Sequence, residues 1–212
     1  MFRRRKAEVE PDDAEVAEDA QDGEDGAELR ARGPWDESEV DLEAEDARVD
    51  LGSLLVIPQD AVDVQLQVDE ASGQVMAVIM AAEDGAAEVR AFAAPRNGDI
   101  WEMSRKAVAS EVAQMGGTAT ERKGRWGTEL VVSLMVDAPQ GGRVQQQSVV
   151  VGIPGPRWLL RATFFGRPAL EYDADGNVET AVRDIVVRRG SGPVPPGDAL
   201  PLTLPPDASP PG

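Results

Sequence analysis

The chain of 212 residues contains no cysteine and no histidine. Without cysteine it can form neither disulfides nor thiol nucleophiles, which agrees with a reducing compartment. Without histidine it has no Ser-His-Asp triad and no imidazole base, and the usual zinc sites are excluded as well. Carboxylates suffice for a two-carboxylate hydrolase, although no pair of them stands in an apolar context. The sequence therefore predicts a protein that is not an enzyme, with no metal site and no cofactor.

The chain also lacks any window near the roughly 18 consecutive apolar residues of a membrane span. The basic run Arg3–Lys6 resembles the start of a signal peptide, but acidic residues follow where an apolar stretch is required. We therefore expect a cytoplasmic protein without membrane contact.

Basic residues are scarce in the first quarter of the chain. Residues 1–50 hold 19 Asp and Glu against 7 Lys and Arg, whereas residues 51–212 hold 20 against 14. Few apolar side chains interrupt residues 1–47, so this segment has too little to bury and is expected to be a disordered acidic arm. Residues 191–212 hold eight prolines and are expected to form an extended tail. The domain itself is expected to span residues 48–190.

The stretch Val149–Gly166 contains two apolar runs that are joined by a Pro-Gly-Pro-Arg elbow. Apolar runs separated by Gly and Pro are typical of a hairpin of two strands, or of one strand that bends sharply at the elbow. In the second run, alternate residues from Trp158 share one face and alternate residues from Leu159 share the other. Both faces are largely apolar, which predicts a strand in the middle of a sheet that is covered on two sides.

The remaining patterns predict strands, a helix, further strands and a second helix. The first helix opens with a capping-box spacing at Asp99–Glu102 and stops at Gly116-Gly117. The second is expected to begin with Asn177 as its N-cap and to end at Gly190. This order indicates an α+β fold: one mostly antiparallel sheet of about six to eight strands with two helices, flanked by the two tails.

Several motifs resemble an uncharacterised actinobacterial family known only as a domain of unknown function. They are Ala91–Arg96, Ile100-Trp101 and Gly155–Arg161, with the shorter elements Gly33–Asp36 and Val49–Gly52. The resemblance covers roughly residues 33–205 and implies a cytosolic protein of a high-GC Gram-positive bacterium. The resemblance implies no known activity. More loosely, the element order resembles the Mog1/PsbP-like α/β/α sandwich, a fold used mainly for binding.

Four groups of residues are candidates for function. Arg96, Trp101, Arg157 and Trp158 could form an Arg/Trp recess for a carboxylate, a phosphate or a peptide, or could be strand ends whose arginines pair with local acids. A basic hairpin tip could bind single-stranded nucleic acid, could be a solvated turn, or could receive the chain's own acidic arm; its residues are Arg122, Lys123, Arg125 and Trp126. Trp35, in the possible docking segment 33–36, could dock onto the domain or could be a chance exposed aromatic residue. The turn Asp173–Asn177 imitates a calcium loop but has Val178 where such a loop needs glycine, which favours a helix-capping turn.

These features predict a non-catalytic binding or adaptor domain that carries an acidic arm and has a protein partner. The alternative is a nucleic-acid-associated accessory protein that binds single strands through residues 122–126. For the full-length chain nucleic acid is disfavoured, since a net charge of −18 repels phosphate backbones.

Overall fold

The computed structural model describes residues 29–43, 48–96, 100–138 and 140–205. Within these ranges the helices are α1 (Ile100–Gln114), α2 (Arg167–Leu170) and α3 (Asn177–Arg183), with a short 3-10 helix at Glu37–Glu39. The strands are β1 (Trp35–Asp36), β2 (Val49–Asp50), β3 (Leu54–Val56), β4 (Asp63–Val68), β5 (Val75–Ala82), β6 (Gly85–Ala93), β7 (Thr118–Gly124), β8 (Gly127–Asp137), β9 (Arg143–Gly155), β10 (Trp158–Gly166) and β11 (Val186–Val187). The predicted α+β class is confirmed.

The main sheet has seven antiparallel strands in the order β4-β5-β6-β10-β9-β8-β7. The strand β10 is fourth of seven, in the central position that its two apolar faces predict. It pairs with β9 through a tight turn at Pro156-Arg157 and with β6 on its other side. Arg157 takes a positive φ of 60° after Pro156, the sign that the third position of a type II turn with proline at its second position requires.

Each face of the main sheet carries its own core. On one face, which we call the inner face, Trp158, Leu160 and Phe164 pack with residues from α3 and from a second, smaller sheet. On the opposite face, which we call the helix face, α1 packs over β7, β8 and β9. There Trp101 and Val112 join Leu159 and Val150 in a separate cluster. A sheet covered on both faces explains why β10 is apolar on both sides.

The smaller sheet joins distant parts of the chain in the order β1-β11-β3-β2. Its strands have only two or three residues, and sequence alternation gives no signal at that length. The C-terminal tail also enters the fold. Leu200 N–H donates to the carbonyl of Ala91 at 2.8 Å, and Ala93 N–H donates to the carbonyl of Asp198 at 2.9 Å. The tail thus pairs with the end of β6, and its Leu202 forms a bridge with Val75 of β5.

The second helix is shorter than predicted, because α3 ends at Arg183 rather than at Gly190. The β-branched pair Val186-Val187 leaves the helical pattern and forms β11, where both side chains are fully buried. The N-cap is Gly176 rather than Asn177. The predicted capping residue of the first helix, Asp99, lies outside the described residues, as do residues 1–28 of the predicted acidic arm and residues 206–212 of the tail.

Candidate anion-binding site

Two arginines stand directly opposite each other at the centre of the main sheet. Arg90 of β6 and Arg161 of β10 are register partners on the helix face. Both guanidinium groups lie near the ring of Phe92: Cζ of Arg90 is 5.6 Å from the ring centroid and Cζ of Arg161 is 4.9 Å. We call Arg90 and Arg161 the arginine pair. Phe92 holds it at the edge of a hydrophobic cluster by cation–π contacts.

Among the described residues, neither guanidinium of the arginine pair has an ion-pair or hydrogen-bond partner. Nε of Arg90 is buried without an acceptor. The pKa of Arg161 lies below the ordinary value, first because burial penalises its charge and second because the charge of Arg90 opposes it. The carboxylates of Glu88 and Glu111 act at longer range in the opposite direction. Like charges directly opposite each other in a sheet are destabilising, so the pair presents unsatisfied positive charge.

The arginine pair stands where the cover of the helix face ends. While α1 packs over β7–β9, no helix among the described residues packs over the same face of β4–β6, where Gln65 and Gln67 are exposed and Ile79 is half-buried. A ligand can therefore approach the guanidinium groups from the side of β4–β6. Two planar forks in a partly desolvated setting suit an anion with two oxygens, such as a carboxylate.

The sequence did not single out Arg90, although Arg161 was placed within the central strand. A signal was present, since Arg90 and Arg161 each interrupt an apolar strand, in Glu88–Ala93 and in Trp158–Phe165. A charged residue within such a run is expected to have a partner. What the sequence lacks is the strand order that makes these two residues neighbours.

The predicted Arg/Trp recess is not assembled as one surface. Arg96 and Arg157 are both exposed at the same end of the sheet, where Ala94 N–H donates to the carbonyl of Arg157 at 2.9 Å. Trp101 is 6% exposed in the cluster of the helix face, and Trp158 is fully buried in the core of the inner face. The sheet separates the two indoles, because a strand's alternate residues point to opposite sides.

The predicted basic hairpin tip forms, but its tryptophan points inward. Trp126 is 3% exposed, and its ring stacks on Phe164 with centroids 5.7 Å apart and meets Tyr172 edge to face. A base could not stack on this ring. Arg122, Lys123 and Arg125 remain at the surface of the turn between β7 and β8 and line a cavity of about 300 Å³.

Trp35 lies against the domain through backbone pairing. Its N–H donates to the carbonyl of Ile185 at 2.9 Å, and it pairs with Val186 in the smaller sheet. The neighbouring carboxylate of Asp36 accepts a hydrogen bond of 2.7 Å from Nε1 of Trp158. Arg30 places its guanidinium 5.3 Å from the ring centre of Trp158. The motifs at residues 33–36 and 155–161 therefore meet in the interior, where they stabilise the fold.

The calcium-like turn contacts an ion pair in which Glu179 is buried and Arg167 is partly exposed. Glu179 is fully buried, and its two carboxylate oxygens accept hydrogen bonds of 2.9 and 2.8 Å from the guanidinium of Arg167. The same carboxylate accepts from the N–H of Asp173 at 3.1 Å. These donors satisfy Glu179, so the turn has a structural role, although the N-cap Gly176 makes no side-chain capping hydrogen bond. Among the described residues no cluster of three or more acidic side chains is placed to hold a metal ion.

Comparison with known proteins places the sequence in a family. Residues 33–210 match the family described as Protein of unknown function (DUF3710). The chain belongs to the DUF3710 family. Its matched region begins at Gly33 and contains the arginine pair, the hairpin tip and the C-terminal tail up to residue 210. No curated protein matches the sequence. Within the described ranges, every helix of this DUF3710 protein falls short of the length and apolar character that crossing a membrane requires.

Proposed function

We propose that this DUF3710 protein is a non-catalytic binding or adaptor domain that holds a carboxylate of a protein partner at the arginine pair. One observation carries the proposal: Arg90 and Arg161 face each other in the centre of the sheet, and among the described residues no carboxylate forms an ion pair with either of them. The chain has 39 acidic residues for such a role, yet among the described residues none contacts the pair.

Two physical effects favour an anionic partner at this position. A carboxylate between the guanidinium groups relieves their mutual repulsion, and it accepts charge-assisted hydrogen bonds that contribute about 1.5–3 kcal/mol each. The open strands β4–β6 give an extended segment room to lie beside the pair. Half-buried Ile79 and Phe165 are apolar side chains on the same face that such a segment can contact.

The test is a titration of the full-length chain with a short glutamate-rich peptide and, separately, with inorganic phosphate. Backbone amide signals of Arg90, Phe92 and Arg161 report the binding by NMR. We expect saturable shifts with the peptide at these positions. Arg161→Gln should weaken the binding by roughly tenfold or more, since each factor of ten corresponds to about 1.4 kcal/mol.

Arg143→Gln is the matched control, since it removes the same charge at the far end of β9, where Arg143 contacts Asp137. It should leave the peptide affinity unchanged. Equal weakening by both variants would show that the peptide senses only overall charge, and the proposal would be wrong. Saturable binding of phosphate without binding of the peptide would contradict the protein partner, and no saturable binding of either would contradict the anion site.

A stability measurement separates a binding role from a structural one. If the arginine pair exists for a ligand, Arg161→Met removes a costly buried charge and leaves the free energy of unfolding unchanged or higher. If the pair stabilises the sheet through Phe92, the same variant unfolds at lower urea concentration. The second result would argue against the proposed function.

A further inference from the structure

The turn between β7 and β8 concentrates positive charge at one place on an acidic protein. Arg122, Lys123 and Arg125 stand around the cavity of about 300 Å³, and we call these three residues the basic turn. Beneath them Glu129 is 5% exposed. Its carboxylate accepts from Nε of Arg122 and from the backbone N–H of Arg125, both at 3.1 Å. Among the described residues this is the one carboxylate in contact with the three cations, so the basic turn keeps a net positive charge.

The same cavity has an apolar side. Trp126, Phe164 and Tyr172 line its interior, and Leu170 of α2 is 65% exposed at its edge. An occupant that combines carboxylates with small apolar side chains would match both parts of the cavity. A bare polyanion would match only the basic turn.

The first described residue, Leu29, lies beside the turn between β7 and β8. A methyl carbon of Leu29 lies 3.8 Å from the position that a Cβ on Gly127 would take, and Gly127 is the first residue of β8 after the turn. Residues 7–28, which precede Leu29, contain 11 Asp or Glu and no Lys or Arg. Small apolar residues, among them Val9, Val16 and Ala20, are interspersed with the acids. The negative charge of residues 7–28, their small apolar side chains and their attachment at Leu29 therefore all match the basic turn and its cavity.

We propose that residues 7–28 of this chain bind the basic turn and its cavity as an intramolecular anionic ligand. Attachment at Leu29 gives the segment an effective concentration of about millimolar order at the turn. Its 22 residues reach up to about 75 Å when extended, far more than the turn requires. Because the contacts are solvent-exposed ion pairs, the docking is reversible and weakens with salt. Docking shields the basic turn from phosphate backbones, and a partner that captures the acidic segment exposes it.

The absence of cysteine allows a direct test in the full-length protein. Ala20→Cys creates a single attachment point for a nitroxide spin label, which broadens NMR signals of nearby amides. We expect the strongest broadening at residues 122–127 in low salt, with a several-fold decrease at about 1 M salt, where the Debye length is about 3 Å. A mixture of spin-labelled chains with isotope-labelled, unmodified chains should show no broadening, because the contact is within one molecule.

Two triple variants with equal loss of charge provide the control. R122Q/K123Q/R125Q should lower the broadening at the turn several-fold, whereas R96Q/K106Q/R143Q should leave it unchanged. Broadening that persists in the first variant, that appears mainly around the arginine pair, or that occurs only between chains would overturn the proposal. The salt dependence of the broadening in the spin-labelled Ala20→Cys chain, without any triple substitution, decides the question even if a triple variant fails to fold. The proposed function is tested at other residues, so either can fail alone.

Discussion

At the scale of single residues, two glycines of β9 define how closely the tryptophans pack. A Cβ on Gly152 would collide with the ring of Trp101 from the helix face, and a Cβ on Gly155 would collide with the ring of Trp158. Both glycines are required by close approach, since neither has a positive φ. Trp101 is fixed further by a hydrogen bond of 2.7 Å from its Nε1 to the carbonyl of Thr128.

We predict that Gly152→Ala lowers the free energy of unfolding by about 1–3 kcal/mol, because the added methyl group overpacks the contact with Trp101. Urea denaturation measures the change. Gly192→Ala is the control, since apart from its chain neighbours no described residue lies within 4 Å of the position that a Cβ would take, and it should stay within about 0.5 kcal/mol of the parent. Equal stability of both variants would show that Trp101 does not pack on Gly152 as described.

At the scale of elements, Arg188 joins the strands of the smaller sheet to the N-terminal segment. Arg188 follows β11 directly. Its Nη1 donates to the carboxylate of Asp50 at 2.6 Å, and its Nε donates to the carboxylate of Glu37 at 3.2 Å. Its own N–H donates to the carbonyl of Ser53 at 2.9 Å. One side chain thus connects three segments whose strands are too short to be stable by themselves.

The same contact makes part of the stability depend on pH. Burial by itself would raise the pKa of Asp50, but hydrogen bonds from Arg188 and from Gly52 N–H, with the charge of Arg188, hold that pKa below 3.8. A lowered pKa stabilises the fold fully above the unfolded value, and this contribution disappears as the pH falls through the folded value. The contribution of Asp50 is therefore present at neutral pH and is lost below pH 3.8.

We predict that Asp50→Asn lowers the melting temperature at neutral pH and that the difference from the parent narrows below pH 3.8. Thermal unfolding followed by circular dichroism across the acidic range measures this. Asp175→Asn, at an exposed position on the turn before α3, should show no comparable difference at any pH. A gap that stays constant through the acidic range would rule out the pair with Arg188 as its source.

At the scale of the whole molecule, the C-terminal tail pairs with the end of β6 that extends beyond β5. Leu200 is 3% exposed within the core of the inner face, while Leu204, four residues later, is 39% exposed. The tail's backbone supplies the partners that the end of β6 lacks beyond its pairing with β5. Buried Leu200 and the satisfied backbone groups make this part of the tail integral to the domain.

We predict that Leu200→Ala lowers the free energy of unfolding by about 2–5 kcal/mol, as loss of a buried leucine does. Leu204→Ala should change it by less than about 0.5 kcal/mol. Urea denaturation compares the two, and amide hydrogen exchange at Ala93, whose N–H is bound to the carbonyl of Asp198, reports local opening. Unchanged stability in Leu200→Ala would mean that the tail only rests on the surface.

The sequence by itself determined the central strand and the class of the fold. Alternation from Trp158 to Phe165 assigned each side chain of β10 to a face, and the Pro-Gly-Pro-Arg elbow located the turn, because strand periodicity and turn chemistry are local properties. The sequence also located the basic turn by its composition. It placed Trp126 at the surface with the turn, since composition says nothing of which way a ring faces.

Only the tertiary structure decided which of these residues become neighbours. Arg90 and Arg161 are 71 positions apart in the chain and meet because β6 pairs with β10 rather than with the strand that follows it. Strand order depends on how the two faces of a sheet are covered, and the burial of Trp101, Trp126 and Trp158 follows from the same packing. The arginine pair therefore forms only in the folded sheet. The residues next to Arg90 and Arg161 in the sequence do not indicate which strands will pair.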